Sequence, residues 1–182
     1  MKRNILLGVT GSIAAYKAAE LVRLFQQAGH EVAVTMTRAA TEFVAPLTFR
    51  TLSRRPVAVD MFAARDAWRP EHITLGEWAD VMLVAPCTAN VMAKLAHGLA
   101  DDLLTCTALA LENAPLVLAP AMNEHMWDHA ATQHNAQALR ERGVSLVDVG
   151  TGDLACGYLG RGRMAGLDRI VAAVEDVLDD GG

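Results

Sequence analysis

Cysteine, aromatic residues and excess positive charge are all scarce in this 182-residue chain. Each shortage removes a class of protein. The three cysteines, Cys87, Cys106 and Cys156, stand far apart with no C-x-x-C pair. That argues against a disulfide scaffold or a structural zinc site and suits a reducing cytoplasm. Lys and Arg number 16 against 21 Asp and Glu, a formal net charge of -5. No broad positive field is therefore expected to draw nucleic acid or an anionic membrane surface. Basic residues are scattered, with small local clusters such as Arg54-Arg55 and Arg161/Arg163, so an anionic ligand must be held by local geometry. The hydrophobic fraction is 52%, but the longest apolar stretches, at 81–86 and 114–122, fall far below the ~20 residues of a membrane span. The opening Met1-Lys2-Arg3-Asn4-Ile5-Leu6-Leu7-Gly8 has too short an apolar run for a signal peptide and leads directly into a helical pattern. It is expected to be a first buried strand in a soluble, cytoplasmic protein.

What the chain does have is alternation. Its length suits one domain, covering 1–182 and able to bury roughly 70% of its unfolded surface. No internal repeat or linker precedes the terminal Asp179-Asp180-Gly181-Gly182. Continuous apolar runs predict strands at 4–9, 31–36, 81–85 and 116–119, with another at 145–149. Helical spacing marks 13–28, 89–97, 103–111, 130–142 and 167–178. Strands alternating with crossover helices predict an α/β fold: a single-domain doubly wound (Rossmann/flavodoxin-like) parallel sheet with helices on both faces. Ligands in such sheets gather beyond the carboxyl ends of the strands. The segments beginning at Thr10, Thr37, Pro86, Pro120 and Gly150 are the ones to inspect.

Gly8-Val9-Thr10-Gly11-Ser12-Ile13-Ala14 turns sharply after a strand and opens a helix. Gly11 allows close approach of an anion, and Ser12 offers a hydroxyl beside unpaired helical N–H groups, which favours a phosphate. The alternative is a plain turn with Ser12 as an N-cap. A dinucleotide is disfavoured, because the spacing is not G-x-G-x-x-G and Thr35-Met36-Thr37-Arg38 stands where an acid would hold a ribose. A mononucleotide phosphate fits better, with Thr37 as a further contact. Arg38 is either another contact or a solvated charge.

Ala85-Pro86-Cys87-Thr88-Ala89-Asn90 and Ala119-Pro120-Ala121-Met122-Asn123-Glu124-His125-Met126-Trp127 both follow strands, implying two walls of one cleft. Asn123 can orient a carboxylate or an amide. Thr88 is a natural N-cap, and Met122, Met126 and Trp127 read first as core. In Asp153-Leu154-Ala155-Cys156-Gly157-Tyr158-Leu159-Gly160-Arg161-Gly162-Arg163-Met164, three glycines in six residues argue against helix or strand. A loop with a thiol, a phenol and two guanidiniums reads as a flexible lid over 150–166, closing on an anion. The other reading is a surface connection. His125 and His129, four apart beside Glu124, lack a third ligand at metal spacing, and no metal is expected. His72 is either a hydrogen-bonded core histidine or a general base.

Together these segments resemble the homo-oligomeric flavin-containing Cys decarboxylase family, and within it the phosphopantothenoylcysteine decarboxylases. The resemblance rests on Gly8 to Lys17, His72-Ile73-Thr74-Leu75 with Trp78-Ala79-Asp80, the Cys87 segment, Pro120 to Trp127, and Ala155 to Met164. It implies FMN at a subunit interface of trimers, which can assemble further into dodecamers. It also implies decarboxylation of 4′-phosphopantothenoylcysteine to 4′-phosphopantetheine in coenzyme A biosynthesis. The thiol is oxidised to a thioaldehyde, carbon dioxide leaves, and the enethiol is reduced. By motif position, His72 acts at the oxidation, Asn123 binds the substrate carboxylate and Cys156 donates the last proton. Gly11, Ser12, Ile13, Thr37, Thr88, Ala89 and Asn90 hold the FMN, while Ala155, Gly157 and Met164 join Asn123 and Cys156 around the substrate. Ala165-Gly166-Leu167 departs from the Ala-Glu-Pro of many members, and many bacterial relatives continue into a ligase domain. Rival readings are a peptidyl-cysteine decarboxylase forming a C-terminal enethiol, a flavin prenyltransferase, and a non-catalytic regulatory subunit.

Overall fold

A computed structural model describes residues 1–63, 68–153 and 159–180. Its central strands are β1 (Asn4–Val9), β2 (Glu31–Met36), β4 (Val81–Cys87) and β5 (Leu116–Pro120), with two-residue strands β3 (Val57–Ala58) and β6 (Ser145–Leu146) at the edges. All pair in parallel, in the order β3-β2-β1-β4-β5-β6. This is the Rossmann order, and without the short edge strand β3 it is the flavodoxin-like order.

The helices are α1 (Ala15–Gln27), α2 (Pro46–Ser53), α3 (Glu71–Trp78), α4 (Ala89–His97), α5 (Leu103–Leu109), α6 (Glu124–Asp128), α7 (Ala130–Glu141) and α8 (Leu167–Asp180). Strand side chains alternate between two cores. Ile5, Leu7 and Val9 pack with Phe25 of α1 and Ile170 and Val174 of α8. Leu6, Met82 and Val84 face the other way, toward Met92 of α4, Leu104 of α5 and Leu139 of α7. A strand covered on both faces has no polar side, which is why its sequence is a continuous apolar run. Each such side chain contributes about 1.5–3 kcal/mol by burial. Surface pairs such as Lys2–Glu31 and Arg69–Glu77 contribute at most about 1 kcal/mol each, so burial holds this fold together.

Three departures from the sequence expectation change the segments around the strand ends. The first helix starts at Ala15 instead of residue 13, because residues 11–14 form an open turn. The strand expected over 145–149 is confined to Ser145–Leu146, with Val147 N–H donating to the Leu118 carbonyl at 2.9 Å. The glycine-rich stretch contains strand after all: β7 (Gly150–Asp153) pairs antiparallel with β8 (Leu159–Arg163). A main-chain ladder needs no side chains, and the hairpin is further anchored by Met122 N–H donating to the Gly162 carbonyl at 2.9 Å. No helix of the described residues is long and apolar enough to cross a membrane.

Candidate active site

The sheet reverses its winding between β1 and β4, so the connections leaving their carboxyl ends part and open a crevice. One fully buried residue ties the two departing turns together. Thr10 Oγ1 donates to the Pro86 carbonyl at 2.7 Å and accepts from the Thr88 N–H at 3.1 Å. Beyond it the chain folds tightly: Ser12 N–H donates to the Thr10 carbonyl at 2.9 Å, and Ser12 Oγ accepts from Ala14 N–H at 3.2 Å. A Cβ on Gly11 would fall 2.6 Å from the Ala39 Cβ, so only glycine lets this turn pack on the segment after β2. The Gly11 and Ile13 amides make no hydrogen bond among the described residues. On the facing turn, Thr88 Oγ1 caps α4 by accepting from Val91 N–H at 3.4 Å. The Ala89 and Asn90 amides lie in that helix's first turn, where no helical carbonyl can reach them. Two sets of unpaired donors thus flank the crevice, a donor set suited to a phosphate.

The crevice is a cleft of about 470 Å³. It is lined by Gly11, Ser12, Ile13, Thr88 and Ala89 from the turns after β1 and β4, and by Met122, Asn123, Met126, Gly162, Arg163 and Met164 from the segment after β5 and from β8 and the residue after it. Asn123 is held as the N-cap of α6, its Oδ1 accepting from His125 N–H at 2.9 Å. Trp127 is buried in the core as its type suggests, Met122 packs against that core and also lines the cleft, and the exposed Met126 lines the cleft instead. The Pro120 turn carries them past the sheet's edge. Opposite them, Glu124 Oε1 accepts from Arg161 N–H at 3.0 Å, a second stitch between α6 and β8.

Other residues singled out in the sequence stand elsewhere. Thr37 is buried and turned inward, its Oγ1 accepting from Ala40 N–H at 3.3 Å to cap the short 3₁₀ helix Arg38–Glu42. Asn90 is exposed on α4 and does not line the cleft. His72 lies on α3 and does not line the cleft, and its buried Nδ1 has no hydrogen-bond partner among the described residues. Ala155, Cys156 and Gly157 lie outside the described residues. His125 and His129 do not share a helical face: α6 ends at Asp128, and His129 Nδ1 accepts from Ala131 N–H at 3.2 Å. Among the described residues no group of three His, Cys, Asp or Glu could hold a metal. Cys87 is fully buried, and burial pushes its thiol up to about 12, so it is a packing residue.

Thr10, Tyr16 and Lys17 were not singled out as site residues from the sequence, although Tyr16 and Lys17 line the cleft. A signal was present. In the helix expected over 13–28 they stand three and four residues after Ile13, which also lines the cleft, and such spacing returns a helical side chain to the same face.

The strand order, the crevice at its reversal point and the unpaired amides define a nucleotide-binding α/β protein. The chain belongs to the flavoprotein family, whose model matches residues 1–179. It is 48% identical over 173 residues to the coenzyme A biosynthesis bifunctional protein CoaBC of Bacillus subtilis, covering 95% of this chain and 42% of that protein. The chain thus spans less than half the length of the bifunctional relatives it matches. It is also 43% identical over 179 residues to a probable phosphopantothenoylcysteine decarboxylase of Streptococcus mutans, covering 98% of this chain and 100% of that one. Among solved structures it is similar to a mutant PPC decarboxylase complexed with pantothenoylaminoethenethiol, with a TM-score of 0.88, 33% identity, and coverage of 98% of this chain and 100% of that one. The FMN binding protein AtHal3 superposes with a TM-score of 0.83 at 33% identity, covering 99% of this chain and 98% of that one.

Proposed function

We propose that the chain is an FMN-dependent carboxy-lyase converting 4′-phosphopantothenoylcysteine to 4′-phosphopantetheine, a step of coenzyme A biosynthesis in the cytoplasm. One observation carries this reading. A cleft lined by both a mononucleotide-type donor set and Asn123 sits in a chain 43% identical to the Streptococcus mutans relative along its full length.

The residues present fit FMN. Gly11 keeps the first turn close-packed, and the amides of Gly11, Ile13, Ala89 and Asn90 would take its phosphate. When bound, FMN supplies a two-electron acceptor and donor, so that a thiol can be oxidised and later restored with no net redox change. Asn123 would bind the substrate carboxylate, its orientation set by the hydrogen bond from His125 N–H. Met122, Met126 and Met164 supply apolar walls that keep water from that carboxylate. Cys156 would donate the closing proton, which a thiol with an ordinary pKa near 8.5 can do at neutral pH. His72 would assist the thiol oxidation in the cleft of a neighbouring subunit of a trimer-based homo-oligomer. What supports the shared site is that His72 lies away from its own cleft with a buried, partnerless Nδ1.

Purified protein should be yellow, and should release carbon dioxide from 4′-phosphopantothenoylcysteine with 4′-phosphopantetheine as the product by mass. A colourless protein that FMN cannot reconstitute would defeat the reading. Turnover of a cysteine-terminated peptide alone, ending at the enethiol, would replace it with the peptidyl-cysteine decarboxylase reading.

A further inference from the structure

Two cations stand in the cleft without an assigned task. Lys17, in the first turn of α1, and Arg163, at the end of β8, both line it. No carboxylate of the described residues pairs with either. Their placement is unfavourable in the empty protein. A cation in a helix's first turn opposes the helix dipole, and α1 has no acidic residue in that turn to offset it. Burial, and then the positive charge of Arg163, hold the Lys17 ammonium below its ordinary pKa. Two like charges and the positive end of a helix converge where a dianion would relieve all three.

That dianion need not be the flavin's phosphate. The unpaired amides belong to the turns after β1 and β4, whereas Arg163 belongs to β8, whose Gly162 carbonyl accepts from Met122 N–H at 2.9 Å next to Asn123. Tyr16 and Lys17 also belong to a second cavity of about 580 Å³ that continues along α1 past Ala19, Glu20 and Arg23. A ligand with a long arm has room to run from Asn123 toward that junction, with Lys17 standing where the two cavities meet.

We propose that Lys17 and Arg163 form the binding site for the phosphomonoester of the substrate, and so select a phosphorylated cysteine conjugate over a peptidyl one. This inference rests on the proposed decarboxylase reading for the identity of the conjugate. In an acidic chain of net charge -5, such a pair concentrates positive potential at one point of the cleft. Arg163 can bind a phosphate with two parallel N–H donors, and Lys17 adds a point charge.

The test is calorimetric titration of the flavin-loaded protein with 4′-phosphopantetheine and with pantetheine, which differ only in the phosphate. The wild-type protein should bind the phosphorylated thiol at least about 30-fold more tightly, as expected for charge-assisted hydrogen bonds. Lys17→Gln and Arg163→Gln should each cut that ratio roughly 10-fold, and Lys17→Arg should restore most of it. Equal weakening of both thiols in the variants would overturn the site. So would loss of bound flavin with the ratio intact, which would assign the pair to the flavin phosphate. Because titration reads binding and not turnover, the two readings fail separately. A protein that discriminates between the thiols but releases no carbon dioxide keeps the phosphate site and loses the decarboxylase. One that releases carbon dioxide without discriminating does the reverse.

Discussion

At the scale of single residues, the site depends most on a threonine that touches no ligand. Thr10 is wholly buried and uses its hydroxyl as donor to Pro86 and acceptor from Thr88. Replacing it with valine would leave that carbonyl and that N–H unpaired, at about 1–3 kcal/mol for each buried group. It would also free the two turns proposed to hold the FMN phosphate to move apart. Thr10→Val should therefore weaken FMN binding by at least about 10-fold, a loss of about 1.4 kcal/mol in alignment of the donors. Thr10→Ser, which keeps the hydroxyl, should retain it. Fluorescence titration of FMN into apoprotein reads both, and equal affinities for the two variants would show that the latch does not position the site. Cys87 illustrates the opposite case: it sits in a suggestive motif beside Thr88, yet full burial raises its thiol to about 12 and removes it from chemistry.

At the scale of elements, β8 is stitched to the turn after β5. Met122 N–H meets the Gly162 carbonyl at 2.9 Å, and Arg161 N–H meets Glu124 Oε1 at 3.0 Å. Gly162 makes this contact with φ at +110°, and a Cβ there would lie 2.5 Å from the Met122 carbonyl oxygen. Alanine is disfavoured twice, by conformation and by overlap. Gly162→Ala should cost about 1–3 kcal/mol, seen as a lowered urea midpoint, with a parallel loss of affinity for ligands that rest on Asn123. An unchanged midpoint would mean that the seam is not a fixed part of the cleft wall. The same seam explains why glycine density misled the sequence reading of 159–163. Backbone pairing with β7 and with the β5 turn, which no side-chain pattern encodes, stabilises β8.

At the scale of the whole molecule, the two side chains proposed to act on the substrate do not line the same cleft of one chain. Asn123 lines the cleft, and His72 on α3 does not. If cleft and histidine come from neighbouring subunits of a symmetric oligomer, two inactive variants should rescue each other. Mixing His72→Gln with Asn123→Gln, dissociating and reassembling them, should restore about a quarter of wild-type activity, the fraction of sites receiving one intact residue from each neighbour. Complete absence of recovery in reassembled oligomers would place both residues in the same subunit's site.

The sequence by itself determined the layered fold. Strands β1, β2, β4 and β5 are buried on both faces, so their apolar runs cannot be mistaken for amphipathic segments, and α4 begins at its Thr88 cap as the side chain requires. It also placed Gly11, Ser12, Ile13, Thr88, Ala89 and Asn123 in segments that reach one cleft, because in a parallel sheet every such segment leaves the same edge, whereas Met164 reaches it from the antiparallel pair β7–β8. Only the tertiary structure decided which of those residues face inward. Thr37 turns to cap its own helix, Asn90 points to solvent, and Lys17 and Arg163 meet across elements nearly 150 residues apart in the chain. Strand periodicity is local and survives in the one-dimensional record. The pairing of two cations depends on how α1 and β8 cross in space, and no local pattern carries that information.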